Sequence, residues 1–284
     1  MITARTGNGR KHKLHRGPTD LTSSETEEGS SCSSCEPVDC ADDELLRLAE
    51  ERFGEEKLLE AYRLLRNVRD QTLLKSQHQS ILSKAAHCEA AISDLIGEAN
   101  DGSRGWTKQS EYGQRHTAIY YKIDTTTTRL DCRLETPIDA EFLIPLLSVM
   151  NESDLYATWV PSWQMPRIGV RSSRQIQKIG RVNQILQVIG DVPWPFSARE
   201  VLMKTQVVDE IDENGYFAVI LRSLDPADAA DDDDDGNPLP PSNPDIERID
   251  FEGALLFRPC PRDHPIMARR SSGDRPMILV SFKM

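Results

Sequence analysis

The sequence predicts an α+β fold in which a curved antiparallel β-sheet grips helices, preceded by a helical extension and a disordered tail. Three observations carry this. Apolar residues recur at helical spacing between residues 41 and 99. From Gln114 onward the apolar period falls to two. Between them and the last strands stands DVPWPFSARE, Asp191 to Glu200, where two prolines flank a tryptophan. Pro193 and Pro195 each fix φ and lack a backbone donor, so this run is a rigid elbow between elements and not the middle of a strand.

The tail is residues 1–40. Lys, Arg and His dominate up to Arg16 with no acid among them, and TSSETEEGSS follows. Such a composition buries too little apolar surface to offset chain entropy. It has no apolar core of a secretory signal, and an untargeted tail is preferred over a short organellar targeting peptide. The serines beside Glu25 and Glu27 are candidate phosphorylation sites of a kind common in acidic tails. Cys32, Cys35 and Cys40 cluster here, while Cys88, Cys132 and Cys260 stand singly, which is no disulfide framework and fits a reducing, cytoplasmic compartment. The CxxC at Cys32 lacks a second ligand pair at finger spacing, so no metal is expected, and nothing marks these cysteines for acylation.

Residues 41–100 form the helical extension. Leu45, Leu48, Ala49 and Phe53 line one stripe after Asp42 and Asp43. Leu58, Leu59, Tyr62, Leu65 and Val68 line a second beyond Gly54, and Ile81, Leu82, Ala85, Cys88, Ile92, Leu95 and Ile96 a third. Either these helices brace one another and the sheet, or they form a hairpin for a protein partner or a membrane surface. Glu and Arg mix freely on their polar faces, which favours bracing.

The strands then follow. HTAIYYKID and RLDCRLETPID flank a turn at Thr125 to Thr128, and the apolar helical run DAEFLIPLLSVMNESDLYATWVPSW comes next. SRQIQKI, NQILQVIG, REVLMKTQVV, YFAVILRS, IDFEGALLFRP and PMILVSF complete the set, with a turn at Asp212 to Gly215. Asp228 to Asp235 and the following GNPLPPSNPD read as a solvated insertion between strands, because like charges repel and prolines extend the backbone. A calcium loop needs spaced oxygen ligands, not a contiguous block, so none is expected there. A curved sheet with helices on one side leaves space between the two, and an apolar lining makes that space a ligand cavity.

The order of these segments, from Gly105-Trp106 through the paired strands and helical run to the elbow, resembles the START (StAR-related lipid transfer) domain, a helix-grip fold. PWPFSARE is similar to its Pro-aromatic-Pro-x-Ser/Asn-x-Arg-Asp signature, with Glu200 in place of the commoner Asp. EVLMKTQVVDEIDENGYFAVILRSLD resembles its strand, turn, strand and Ser ending, and the likeness covers about two thirds of the chain. It implies a START-like lipid-binding domain over residues 101–284. In the family the last strand runs on into a long helix across the cavity mouth, whereas this sequence stops at MILVSFKM, Met277 to Met284. The resemblance therefore implies either a sequence short of that lid or a pocket closed by another element.

The lipid-lining residues expected from this likeness and the strand alternation are Trp159, Trp163, Trp194, Arg199, Phe217, Val219, Leu221 and Leu255. Each Trp also suits plain core packing. Arg199 meets either an anionic headgroup or a structural carboxylate, and the pair is preferred because an unpaired buried Arg is costly. In the sterol-binding branch an acid and a base pair across the strands, and here Leu186 and Thr205 stand at those places. That tilts the expected ligand toward a phospholipid or other acyl lipid.

Other classes fit less well. A net charge of -12 argues against nucleic acid. The longest apolar run, FLIPLLSVM, is far short of the ~20 residues that span a bilayer. The six histidines are scattered, with neither a Gly-x-Ser-x-Gly elbow nor a Gly-rich phosphate loop, so no enzyme and no cofactor are expected, although Glu135 or Asp250 on a cavity strand would serve as a base if buried. The leading expectation is lipid binding and transfer between membranes, with transient membrane contact and a possible protein partner at the helical extension. The rival is a regulatory or adaptor protein whose START-like domain has lost its ligand.

Overall fold

The computed structural model describes residues 39–97, 105–113, 116–126, 129–160, 162–164, 167–193, 195–224, 239–241, 243–269 and 275–284. The tail up to residue 38, Trp194 and the Asp228 to Asp235 run therefore lie outside the described residues.

Three helices come first: α1 (Asp39–Gly54), α2 (Leu58–Arg66) and α3 (Ser76–Ile96). Their apolar stripes meet in one core, with Ala49, Leu58, Ala61, Leu65, Ile81 and Leu95 all buried. Asp42 is buried as well, and its carboxylate accepts from the backbone N–H of Asp70 at 3.0 Å, tying α1 to the link before α3. Phe53 and Ile96 differ from the sequence expectation, for both are exposed. Each sits in the last turn of its helix, where the stripe runs past the neighbouring element.

The sheet follows. β1 (Thr107–Tyr112), β2 (Thr117–Asp124) and β3 (Arg129–Asp139) form a meander; α4 (Leu143–Asn151) and the single turn α5 (Tyr156–Trp159) cross to β4 (Trp163–Gln164). Then come β5 (Arg167–Ile179), β6 (Asn183–Asp191), β7 (Arg199–Glu210), the turn α6 (Ile211–Asn214) and β8 (Tyr216–Ser223). The last strands are β9 (Glu247–Arg248), β10 (Glu252–Pro259) and β11 (Met277–Lys283). Gly215 closes the β7–β8 hairpin at φ 70°, a left-handed conformation that favours glycine.

The order β1-β2-β3-β11-β10-β8-β7-β6-β5-β4 makes a curved, unclosed antiparallel sheet, so the expected α+β class is the one found. β9 lies off this path and pairs with β7 in parallel. The sequence patterns missed β1, β4 and β9, since TKQSEY has no apolar alternation and the other two are two residues long.

The register sorts the sheet into two faces. Ala218, Ile220, Ala254, Leu256 and Val208 share one face and join the helical core. This helical face is closed further along by Trp106 on Ala118 and Tyr120, and by Ile266 and Met267 on Met277 and Leu279. Phe217, Val219, Leu221 and Leu255 point to the opposite face.

Candidate functional site

Strand register gives the opposite face an unusual composition. On β2, β3, β11, β10 and β8 its residues run Thr117 to Ile123, Leu130 to Ile138, Ile278 to Phe282, Gly253 to Pro259 and Phe217 to Ser223 at alternate positions, and none is charged. On β7 the charges are Arg199 and Asp209, one near each end, with Val201, Met203, Thr205 and Val207 between them.

The charged residues of these strands lie mostly on the helical face instead. Arg133, Glu135, Lys283, Arg258, Glu252, Lys204 and Glu210 are all there. Arg133 is 1% exposed and donates to the carbonyl oxygens of Asp94 and Leu95 at the end of α3. Lys283 reaches Asp94 at 2.6 Å, and Glu210 pairs with Arg63 of α2. The usual pattern puts charge toward water and apolar groups toward the packed side. Here the packed side holds the paired charges, and the apolar face is partly covered: Phe217, Val219, Leu221, Leu255, Leu134 and Phe282 have intermediate exposure, while Phe257, Val280, Met203 and Leu186 are buried.

The two charges that β7 places on the opposite face are each matched. Asp209 lies 3.6 Å from Lys57. Arg199 lies 3.0 Å from Glu247, donates to the carbonyl and hydroxyl oxygens of Ser197 at 2.9 and 3.0 Å, and stands 5.9 Å from the Phe196 ring centre. The neighbouring pair mirrors it on the other side of the sheet. Buried Glu200 accepts from Arg248 Nε at 2.8 Å and from Gln187. Thus Arg199-Glu200 on β7 and Glu247-Arg248 on β9 lie in parallel register as charge-reversed dipeptides, one ion pair on each face. The backbone adds Ile249 N–H to the Glu200 carbonyl at 2.9 Å.

Of the eight residues singled out by sequence, Phe217, Val219, Leu221, Leu255 and Arg199 share this face. Trp159 stands on α5 beside β5, 40% exposed and 5.3 Å edge-on from Tyr156. The Tyr156 hydroxyl donates to the Met150 carbonyl at 2.7 Å, and burial pushes its ionisation up. Trp163 opens β4, and Trp194 is outside the described residues. Leu186 and Thr205 are both buried on the opposite face, where the Thr205 hydroxyl accepts from the Gln184 N–H at 3.1 Å. Neither side chain is charged, so these two positions form no ion pair.

Sequence reasoning missed Glu247, because the pair joins residues separated by the acidic insertion. No residue of α4 is fully buried: Leu143, Leu146, Leu147 and Met150 are half-buried, and Ile144 is 68% exposed. Of the two carboxylates weighed as bases, Glu135 takes a hydrogen bond from Arg133 on the helical face, and Asp250 is exposed. Among the described residues no group of His, Cys, Asp and Glu is placed to hold a metal ion, and no helix is long and apolar enough to cross a membrane.

No protein-family model and no curated protein sequence matches the chain. Among solved structures it is similar to human STARD10, with 13% identity and a TM-score of 0.45, over 69% of this chain and 64% of that one. It is similar to the STAR-related lipid transfer protein of Xanthomonas axonopodis, with 15% identity and a TM-score of 0.42, over 63% of this chain and 80% of that one. It is similar also to human StAR-related lipid transfer protein 5, with 15% identity and a TM-score of 0.41, over 70% and 81%. The strands, helical run and elbow follow one another in the order read from the sequence.

Proposed function

We propose that the chain binds a lipid along the uncharged face of its sheet and carries it between membranes. The observation that supports this is the sorting of charge. An uncharged face several strands wide, with Phe217, Val219, Leu221 and Leu255 keeping part of their surface open, suits an apolar occupant, and apolar patches of that kind mark binding sites. Acyl chains fit that need, gaining about 0.8 kcal/mol per CH₂ removed from water. With Leu186 and Thr205 in place of a buried acid-base pair, a phospholipid or other acyl lipid suits the face better than a sterol.

In this reading residues 101–284 form the lipid-binding part, and the helices of residues 41–100 brace it, their apolar stripes being spent on the helical face. That favours bracing over a protein partner at these helices. The exposed apolar side chains of α4 suit transient contact with a membrane during loading, and the thiols of Cys88 and Cys132, outside any disulfide, suit the cytoplasm. No catalytic role is assigned.

Native mass spectrometry of the chain after exposure to mixed phospholipid and sterol vesicles tests the reading. A bound mass of one acyl lipid per chain is expected. A chain that stays empty would favour an adaptor that has lost its ligand.

A further inference from the structure

The paired state of Arg199 bears on which lipid the face accepts. By register Arg199 is the one cation on the opposite face of β2, β3, β11, β10, β8, β7 and β6, and Lys178 of the neighbouring β5 shares that face farther along, opposite Gln184. Arg199 stands next to the elbow, at the end of β7 opposite Asp209. A headgroup phosphate or carboxylate entering this face would meet Arg199 as its charge partner. That partner is already engaged. Glu247 holds one nitrogen at 3.0 Å, Ser197 takes the other through two oxygens, and Phe196 lies against the guanidinium.

The backbone of β9 is fixed to β7, which sets the Glu247 Cα beside Arg199, while the carboxylate itself is 62% exposed. The Glu247 N–H donates to the Ala198 carbonyl at 3.3 Å, and the Glu200–Arg248 pair clamps the next residue on the other face at 2.8 Å, with Arg248 also held by the Pro240 carbonyl at 3.1 Å. A net negative headgroup arriving at this end of β7 meets the Glu247 carboxylate and an Arg199 that is already paired, while a headgroup with no net charge is not repelled.

We propose that this face selects lipids without net headgroup charge, and that Glu247 is the specificity-determining residue that imposes the selection by neutralising Arg199. This rests on the lipid-binding reading and goes one step further, to the charge class of the ligand. Repulsion of the wrong ligand serves specificity here more than attraction of the right one does.

The test uses the full chain with vesicles of equal parts diacylglycerol, phosphatidylcholine and phosphatidylserine, and native mass spectrometry of the lipid extracted. The wild type should take phosphatidylserine well below its share in the vesicle. Glu247→Gln frees Arg199 and should raise the phosphatidylserine to phosphatidylcholine ratio about fivefold, the worth of roughly 1 kcal/mol in one partly exposed charge pair. Arg199→Gln leaves Glu247 uncompensated and should move the ratio the other way. The double variant Arg199→Gln, Glu247→Gln should lose the gain of the single change; if it keeps the gain, the cause is a loosened β9 and the proposal fails. It fails also if the wild type takes phosphatidylserine at its vesicle share, or if neither single variant moves the ratio. A wild type that takes up none of the three lipids would overturn the lipid-binding reading itself, which separates that failure from failure of the selectivity.

Discussion

Arg133 of β3 donates from Nη2 to the carbonyl oxygen of Leu95 at 2.8 Å, so a side chain of the sheet closes the last turn of α3. Helix C-termini leave carbonyls without intrahelical partners, and cations there are favoured by the helix dipole. With Asp94 O at 3.0 Å and Glu135 beside it, one fully buried guanidinium joins the helical block to the strands.

Arg133→Met should therefore destabilise the chain by about 3–5 kcal/mol, because it strands Glu135 and two buried carbonyls without their donor. Chemical denaturation reads this as a lower midpoint. Arg133→Lys should recover only part of the loss, since an ammonium lacks the planar fork that reaches three acceptors. A loss under about 1 kcal/mol for Arg133→Met would show that α3 is held by its apolar stripe alone.

The two faces of β8 offer a sharper comparison through adjacent residues. Ile220 packs into the helical core, and Val219 stands on the opposite face. Ile220→Ala should cost about 2–5 kcal/mol and leave lipid selectivity as it was. Val219→Asp puts a charge in the middle of the uncharged face; it should leave the folded state cooperative while removing bound lipid in native mass spectrometry. Retained lipid with Val219→Asp would locate binding elsewhere.

How far the sequence foretold these faces depended on the strand. In YFAVILRS both alternating sets are apolar, Phe217, Val219 and Leu221 against Ala218 and Ile220, so period two fixed a strand without saying which set met the helices. In RLDCRLETPID the charges Arg133 and Glu135 suggest a solvent side by the ordinary rule, yet they lie under α3. That inversion depends on a helix terminus meeting the sheet, which no local pattern encodes. The partner of Arg199 was expected to be a carboxylate, and it is; its identity as Glu247 was beyond reach because a two-residue parallel strand leaves no periodic trace.

Cys88 gives a pH dependence of known sign. Burial pushes its thiol from 9.0 up to about 12. Above pH 9 the unfolded chain loses this proton and the folded chain keeps it, so stability should fall as pH rises from 9 toward 12. The slope from this one group approaches about 1.4 kcal/mol per pH unit. Comparing urea midpoints of the wild type and Cys88→Ala below and above pH 9 isolates it. Parallel pH curves for the two proteins would remove Cys88 as the cause.

α4 supplies the last prediction. From Leu143 to Asn151 it has no charged residue and no buried one, with Ile144 and Phe142 among the most exposed apolar side chains of the described residues. Loss of an exposed side chain touches no core contact, so Ile144→Glu should change stability by no more than about 0.5 kcal/mol. The same substitution should weaken binding of an environment-sensitive apolar dye, and it should slow lipid transfer between vesicles by more than it reduces the amount of lipid bound at equilibrium. That split separates two roles for α4. If α4 is a wall of the lipid site, bound lipid falls together with rate; if it is the surface that meets the membrane, rate falls alone, because contact with the bilayer enters the kinetics of exchange and leaves the bound state as it was. Equal losses in both would assign α4 to the site and leave membrane contact to another element.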